Sequence, residues 1–461
     1  MASILLFEPR ARWLIASHLA NGMDPHPSSA AFRRKIIPMR VANRLVTTAV
    51  CGLTIFVLSY SLPSFGADVT ASPTPDGKEA KKVVETKPPE PRFKIYGWIE
   101  AGITGNPDSP TDNHNFGHLF TDRANEPLLN QAVITAERAL DPNATGFDWG
   151  FKVQFMYGSD ARYIHSLGML DLTTNERVQP DFPEVYASLH LPIINTGGLD
   201  LKLGKAVTLE GAETIDPRTN VFYSHTYIFN FGIPFNNTGI AGVLHVNKYL
   251  DVYAGINRGV NVTFKDNNSS VAFEGGIGLN LLDGNLTTLA ITHVGPENPG
   301  NNHDYRFLND ITTTWKINKC LTAITDLNLI YDELLPAWGY GAAQYLTYAV
   351  NDWLTLGVRG EIWRDEEGFF VAQFRANNDF IHIERGDPLA PDPSTHGGGK
   401  TTYLAITGGV TIKPPMPKPF AGLLIRPEVR YDRALTDSTK PYDQLTDRDQ
   451  WTFGIDAILE F

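Results

Sequence analysis

Apolar and polar side chains alternate with period two through most of the chain after residue 92, and the pattern is cleanest at the end. In Gln450–Phe461, the residues Trp451, Phe453, Ile455, Ala457, Leu459 and Phe461 fall on one face. Thr452, Gly454, Asp456, Ile458 and Glu460 fall on the other. A strand needs this alternation wherever one side is apolar and the other wet. The same phase recurs upstream. Phe93, Ile95, Gly97, Ile99 and Ala101 alternate with Lys94, Tyr96, Trp98 and Glu100, and Leu354, Leu356, Val358 and Ile362 with Thr355, Arg359 and Glu361. Leu423, Ile425, Val429 and Tyr431 alternate with Arg426, Glu428, Arg430 and Asp432. After residue 92 we find no amphipathic run of useful length with a 3.6-residue period.

This periodicity predicts strands over 93–104, 129–140, 147–157, 184–192, 199–206, 238–247, 250–262 and 270–281. It continues over 286–294, 304–317, 320–331, 337–350, 352–364, 401–413, 420–433 and 450–461, about sixteen strands in all. Short connections at 141–146, 193–198, Asn247-Lys248, Asp283-Gly284, Asn318-Lys319 and Asn351-Asp352 alternate with longer ones. One end would therefore carry tight turns and the other long loops, as in outer-membrane barrels. Nearly every strand has an apolar face, and no helices are at hand to cover so large a sheet. Lipid-facing backbone must bond internally, which strands achieve only by closing into a barrel. The expected fold is an all-β, transmembrane antiparallel β-barrel over residues 93–461. Its last strand, ending on Phe461, would pair with the first.

Composition changes the picture at the N-terminus. The apolar run Leu45–Leu62 follows Arg40 and Arg44 and precedes Ser64-Phe65-Gly66-Ala67. This order is that of a secretory signal peptide, with cleavage expected near Gly66 or Ala67. Residues 1–67 then form an upstream extension plus signal, and Met39-Arg40-Val41 would begin a signal of ordinary length. Residues 68–92 mix Pro, Lys and Glu with few apolar residues and read as a disordered linker. Of the two cysteines, Cys51 falls in the signal, so Cys320 is expected to have no intrachain partner. The net charge is -12 with no basic cluster interleaved with aromatics, which argues against nucleic acid as a partner.

Candidate chemistry gathers in segment 207–237. Its place after the fifth strand and its aromatic spacing predict a loop folded into the barrel, because exposed water-facing loops have little use for Phe222, Tyr223, Tyr227, Phe229 and Phe231 together. Glu210, Glu213, Asp216, Arg218 and His225 are its candidate constriction residues. Arg359 and Glu361, with Arg426, Glu428 and Arg430, are candidates on the facing wall. Carboxylates in a narrow pore favour cations, an effect that salt screens. No His/Cys/Asp cluster has metal-ligand spacing. Gly397-Gly398-Gly399-Lys400-Thr401 mimics the end of a phosphate-binding loop but lacks its first glycine and a strand–loop–helix context. Ser224 and His225, adjacent on a loop, cannot act directly as nucleophile and base. No catalytic residue and no cofactor are expected.

The same stretch carries a family resemblance. Leu203-Gly204-Lys205, Gly211-Ala212-Glu213, Asp216-Pro217, Phe222-Tyr223-Ser224 and Gly232-Ile233-Pro234-Phe235-Asn236-Asn237-Thr238-Gly239 resemble the OmpL-like β-barrel porin family. The opening Tyr96-Gly97-Trp98-Ile99-Glu100 and Leu129-Asn130-Gln131 are similar to it as well. His225 stands where a basic residue, often Arg, is expected in that family. The resemblance implies a passive pore in the outer membrane of a Gram-negative cell. The expected partners are outer-membrane lipid, small hydrophilic solutes and ions, the barrel-assembly machinery through Phe461, and further copies of the chain in a trimer. The alternative is a barrel acting as receptor or adhesin through its long extracellular loops.

Overall fold

The computed structural model of the protein describes residues 92–461, apart from 172–175, 196, 372–380, 382–384, 386–399 and 437. The signal, the linker as far as residue 91 and the three glycines before Lys400 lie outside the described residues. The strands are β1 (Phe93–Gly105), β2 (Pro127–Arg138), β3 (Asp148–Gly158), β4 (Gln179–Leu191), β5 (Leu199–Val207), β6 (Asn236–Asn247), β7 (Leu250–Val260) and β8 (Ala272–Leu281). They continue as β9 (Leu286–Gly295), β10 (Arg306–Lys316), β11 (Leu321–Asp332), β12 (Ala337–Asn351), β13 (Leu354–Asp365), β14 (Thr401–Ile412), β15 (Gly422–Ala434) and β16 (Asp449–Glu460). Each pairs antiparallel with its neighbours in chain order, and β16 pairs with β1 to close the barrel. The expected fold and strand count are thus found.

Closure is completed by the last residue. The Phe461 N–H donates to the Gly97 carbonyl at 3.0 Å, and the Gly97 N–H donates to the Phe461 carbonyl at 2.9 Å. A Cβ at position 97 would lie 2.2 Å from the Val133 carbonyl oxygen and 2.8 Å from the Phe461 ring, so only glycine fits there.

The wall is inside out relative to a soluble sheet. Trp451, Phe453 and Ile455 of β16 are exposed, whereas Thr452 and Asp456, on the alternate phase, are buried. On β13, Leu356, Val358 and Ile362 are exposed while Arg359 and Glu361 are buried. The outward face can meet lipid without unpaired backbone because every strand has a neighbour on both sides. Connections after even-numbered strands are short, down to residues 248–249 and 352–353, and those after odd-numbered strands are mostly long, as at 106–126, 159–178, 208–235 and 366–400.

The main departure from expectation is β4, which starts at Gln179 and not near residue 184. Pro180 and Pro183 obscure the start, because proline lacks the donor that a ladder needs. The register against β3 slips between Gln154 and Met156, opposite Pro183, so the missing donor falls in the irregularity.

Candidate pore constriction

The long connection 208–235, between β5 and β6, has no strand partner along most of its length. Its backbone groups need partners from elsewhere. The wall supplies them as charged side chains. Glu428 on β15 accepts from the N–H groups of Tyr223 (2.8 Å) and Ser224 (3.1 Å). Glu361 on β13 accepts from those of Tyr227 (2.9 Å) and Ile228 (3.0 Å). Asp310 on β10 and Asp326 on β11 take the N–H groups of Gly211 and Ala212, each at 2.9 Å.

The cations do the converse for the carbonyls. Arg426 donates to the carbonyls of Pro217 (2.7 Å) and Asn220 (2.9 Å) while paired with Asp456 and Glu100. Arg359 donates to the Ser224 carbonyl at 2.7 Å and its hydroxyl at 3.1 Å. Arg430 donates to the His225 carbonyl and is paired with Asp432 at 2.7 Å. Segment 208–235 therefore bonds to β10, β11, β13 and β15, well away from the strands that bear it.

Side chains add to the anchoring. Tyr223 lies against Gly102 of β1 and Gly454 of β16, where a Cβ at Gly102 would come within 2.5 Å of its ring. Its hydroxyl donates to the Asn130 side-chain oxygen of β2 at 2.9 Å. Tyr227 stacks on Tyr403 with centroids 4.8 Å apart and bonds Tyr442 at 3.0 Å. Connection 106–126 joins the cluster: Phe120 packs on His225, Phe229 and Phe235, and the His118 ring bonds Asp432 at 3.0 Å.

Glu213 is the most heavily bonded of the candidate carboxylates. It accepts from Arg359 (2.7 Å), Tyr345 (3.0 Å), the Thr226 N–H (2.9 Å) and the Thr226 hydroxyl (3.3 Å), and lies 3.1 Å from His225 Nδ1. Burial alone would raise its pKa, but Arg359, His225 and the Thr226 N–H hold it down at about 2. His225 stacks on Phe229 at 4.1 Å. Glu210 is in the opposite condition. Both its oxygens are buried without a hydrogen-bond partner, and burial, reinforced by Asp310, Glu274 and Asp326, pushes its carboxyl well above the usual range. Asp216 and Arg218 pair with each other at 2.6 Å, and the Arg218 guanidinium lies 3.9 Å from the Trp98 ring centroid.

The ten candidate residues separate into three groups and one outlier. Glu213, His225 and Arg359 form one, Glu361, Arg430 and Glu428 line the wall beneath the loop, and Arg426 reaches the loop beside the Asp216–Arg218 pair. Glu210 stands apart. Sequence reasoning did not single out Asp310, Asp326, Asp456, Glu100, Tyr345 or His118. The first five sit on the inward phase of their strands, and that phase was the available signal. His118 is on a loop, where phase says nothing.

Open space remains beside this anchored segment. A cavity of about 330 Å³ is lined from the inner wall by Glu137, Tyr186, Asp200, Lys202, Tyr253 and Glu274. Lys202 sits 4.9 Å from the Tyr186 ring centroid. A second space, of about 410 Å³, lies between Asp216 and Arg218 and the turn at Lys413–Met416.

Comparison with curated protein sequences finds no match. Among solved structures, the anion-selective porin from Comamonas acidovorans aligns with 80% of this chain and 99% of its own, at 8% identity and a TM-score of 0.52. The outer membrane channel DcaP of Acinetobacter baumannii aligns with 80% of this chain and 97% of its own, at 11% identity and a TM-score of 0.48. The first of these shows the same fold. Residues 92–461 match the family described as "Putative beta-barrel porin-2, OmpL-like", and the chain belongs to that family of outer-membrane porins.

Proposed function

We propose that this outer-membrane porin passes small hydrophilic solutes and ions around segment 208–235, which folds into the lumen and sets the size limit. The carrying observation is the distribution of bonds. The charged residues of β13 and β15 are committed to the loop backbone, whereas the cavity beside β2–β8 keeps charged side chains with less to hold. Conduction then runs along that second wall. There Glu137, Asp200 and Glu274 outnumber Lys202 and Arg138, the latter already paired with Asp148, so cations are preferred. A pore of this kind works by width and field, with no catalytic step.

Single-channel recording of the purified protein in a planar bilayer tests this. We expect steps of nanosiemens scale, larger and noisier when 211–231 is replaced by a short glycine-serine linker. Silence from a folded, heat-modifiable barrel would overturn the porin reading and favour a receptor. Unchanged steps in the linker variant would show that the segment limits nothing.

Two further assignments belong with this reading. The exported chain begins near Ala67 or Asp68 after signal cleavage, which N-terminal sequencing of outer-membrane material checks. Its Phe461 strand is the part that the barrel-assembly machinery reads.

A further inference from the structure

Strict alternation would send Lys202 and Lys205 of β5 to opposite faces. Yet Lys202 lines the inner cavity, and Lys205 is buried with 1% of its side chain exposed. Gly204 between them has a φ of +138°, and a Cβ there would lie 2.3 Å from the Val185 carbonyl oxygen, so only glycine fits. With the alternation broken, Lys205 meets Asp181 of β4, whose side chain is 0% exposed, with Nζ 3.5 Å from Oδ1. That is long for such a pair, since ammonium and carboxylate bond at about 2.8 Å when they meet well. Among the described residues, Lys205 Nζ and Asp181 Oδ2 have no hydrogen-bond partner. Ions taken out of water need close geometry and further hydrogen bonds to offset their lost hydration, and the lysine has neither.

Two other groups face this carboxyl. The Phe182 N–H donates to Asp181 Oδ1 at 2.7 Å. His165, in the 159–178 connection and 0% exposed, places Nδ1 3.8 Å from Asp181 Oδ2. Its Nε2 bonds the Gln179 side-chain oxygen at 2.8 Å, and the Gln179 amide nitrogen donates to the Glu176 carbonyl at 2.8 Å. An amide oxygen can only accept, so Nε2 carries the proton of the neutral ring and Nδ1 keeps its lone pair beside the carboxyl.

We propose that Lys205 and Asp181 condense into an intramolecular amide that joins β5 to β4 at the root of segment 208–235. A proton passes first from the ammonium to the carboxylate, giving a neutral amine and a neutral acid. Nζ then attacks Cγ, and the negative charge that develops on Oδ1 is held by the Phe182 N–H. His165 Nδ1 takes a proton from the nitrogen and delivers it to Oδ2. The Cγ–Oδ2 bond breaks and Oδ2 leaves as water. Ammonium and carboxylate thus become one amide and one water, with no oxidant, reductant or further reactant. In bulk water the hydration of the two ions opposes this step. Burial removes that opposition, and a neutral amide replaces two buried charges. Lys152 and Glu184 also pair across these walls, but Lys152 keeps 18% of its side chain exposed and water supports its charge. No link is expected there.

Peptide mass spectrometry of barrel purified from outer membranes tests the link without recourse to conductance. Trypsin cuts after Arg177, Lys202 and Arg218, and after Lys205 only while its amine is free. The expected product is a branched species in which residues 178–202 are joined to 203–218. It is one water lighter than the two peptides together, and cleavage after Lys205 is lost. Lys205→Arg keeps the charge but offers no amine, so 178–202 should return as a linear peptide. Chain recovered unfolded from inclusion bodies should carry no branch and gain it as heat-modifiable barrel forms. That time course keeps the test decisive if the variant does not fold. Linear 178–202 alone from the folded natural chain would overturn the proposal. So would a branch at Lys152, a branch surviving in Lys205→Arg, or one already present in the unfolded chain.

Discussion

The charged residues inside this barrel act chiefly as partners for loop backbone. Glu213 shows what that means for its chemistry. Its carboxylate serves Arg359, Tyr345 and Thr226 at once, and its pKa lies at about 2 against 4.5 for an unconstrained glutamate. A depressed carboxylate stabilises the folded state fully above the unfolded value and loses that contribution as pH falls through the folded one. The contribution of Glu213 to loop docking should therefore hold from pH 7 to 5 and be lost between about 4.5 and 2. Open-channel noise recorded across that range reads it, and noise rising already at pH 6 would assign the control to another group. Glu213→Gln keeps the shape but leaves Arg359 buried without its carboxylate. Breaking a buried pair in this way costs about 3–5 kcal/mol, so the variant should be noisy at neutral pH with the barrel still folded.

At the scale of the element, β16 does more than fill a place in the ladder. It pairs with both β15 and β1, and its terminal neighbour Phe461 makes two backbone bonds to Gly97 and covers that glycine with its ring. Removing Phe461 shortens the one seam that depends on residues far apart in the chain, and such non-local pairing forms late and slowly. We expect its deletion to reduce heat-modifiable barrel several-fold in outer membranes, whereas deleting Glu367, in the 366–400 connection, leaves the yield unchanged. Equal yields would show that closure does not depend on the last residue. Segment 208–235 is the contrasting element. It holds its place through wall side chains and not through a ladder, and it reaches the closing seam only through Tyr223, which lies against Gly102 and Gly454, and the Arg218 and Arg426 contacts.

For the whole molecule, the field in the open path decides selectivity. Lys202 and Arg138 are the cations lining the cavity of about 330 Å³, beside Glu137, Asp200 and Glu274, and Arg138 is already paired with Asp148. Lys202→Gln removes the positive charge and leaves the acidic wall unopposed. Reversal potentials in a salt gradient should shift toward stronger cation preference, most at low ionic strength where the Debye length is ~30 Å at 0.01 M. A shift of equal size at 1 M salt, or none at any salt, would place conduction elsewhere in the lumen.

Much of this was legible in the chain. Period-two alternation is a local property, so the face of Arg359, Glu361, Arg426, Glu428 and Arg430 followed from their phase against Leu356, Val429 and their like. So did the closed sixteen-stranded barrel, because strands apolar on one face with no helices to cover them leave few other solutions. The start of β4 was hidden, since Pro180 and Pro183 carry a local signal that only the bulge against β3 reconciles. What each charge does was not legible at all. Glu213 and Glu210 are three residues apart on one loop, yet the first is saturated with donors and the second has none. The difference lies in Arg359, 146 residues away from Glu213, and in the carboxylates of β10 and β11 around Glu210. Phase along a strand is set by neighbours in sequence, but a partner across the lumen is set by the curvature that brings distant strands face to face.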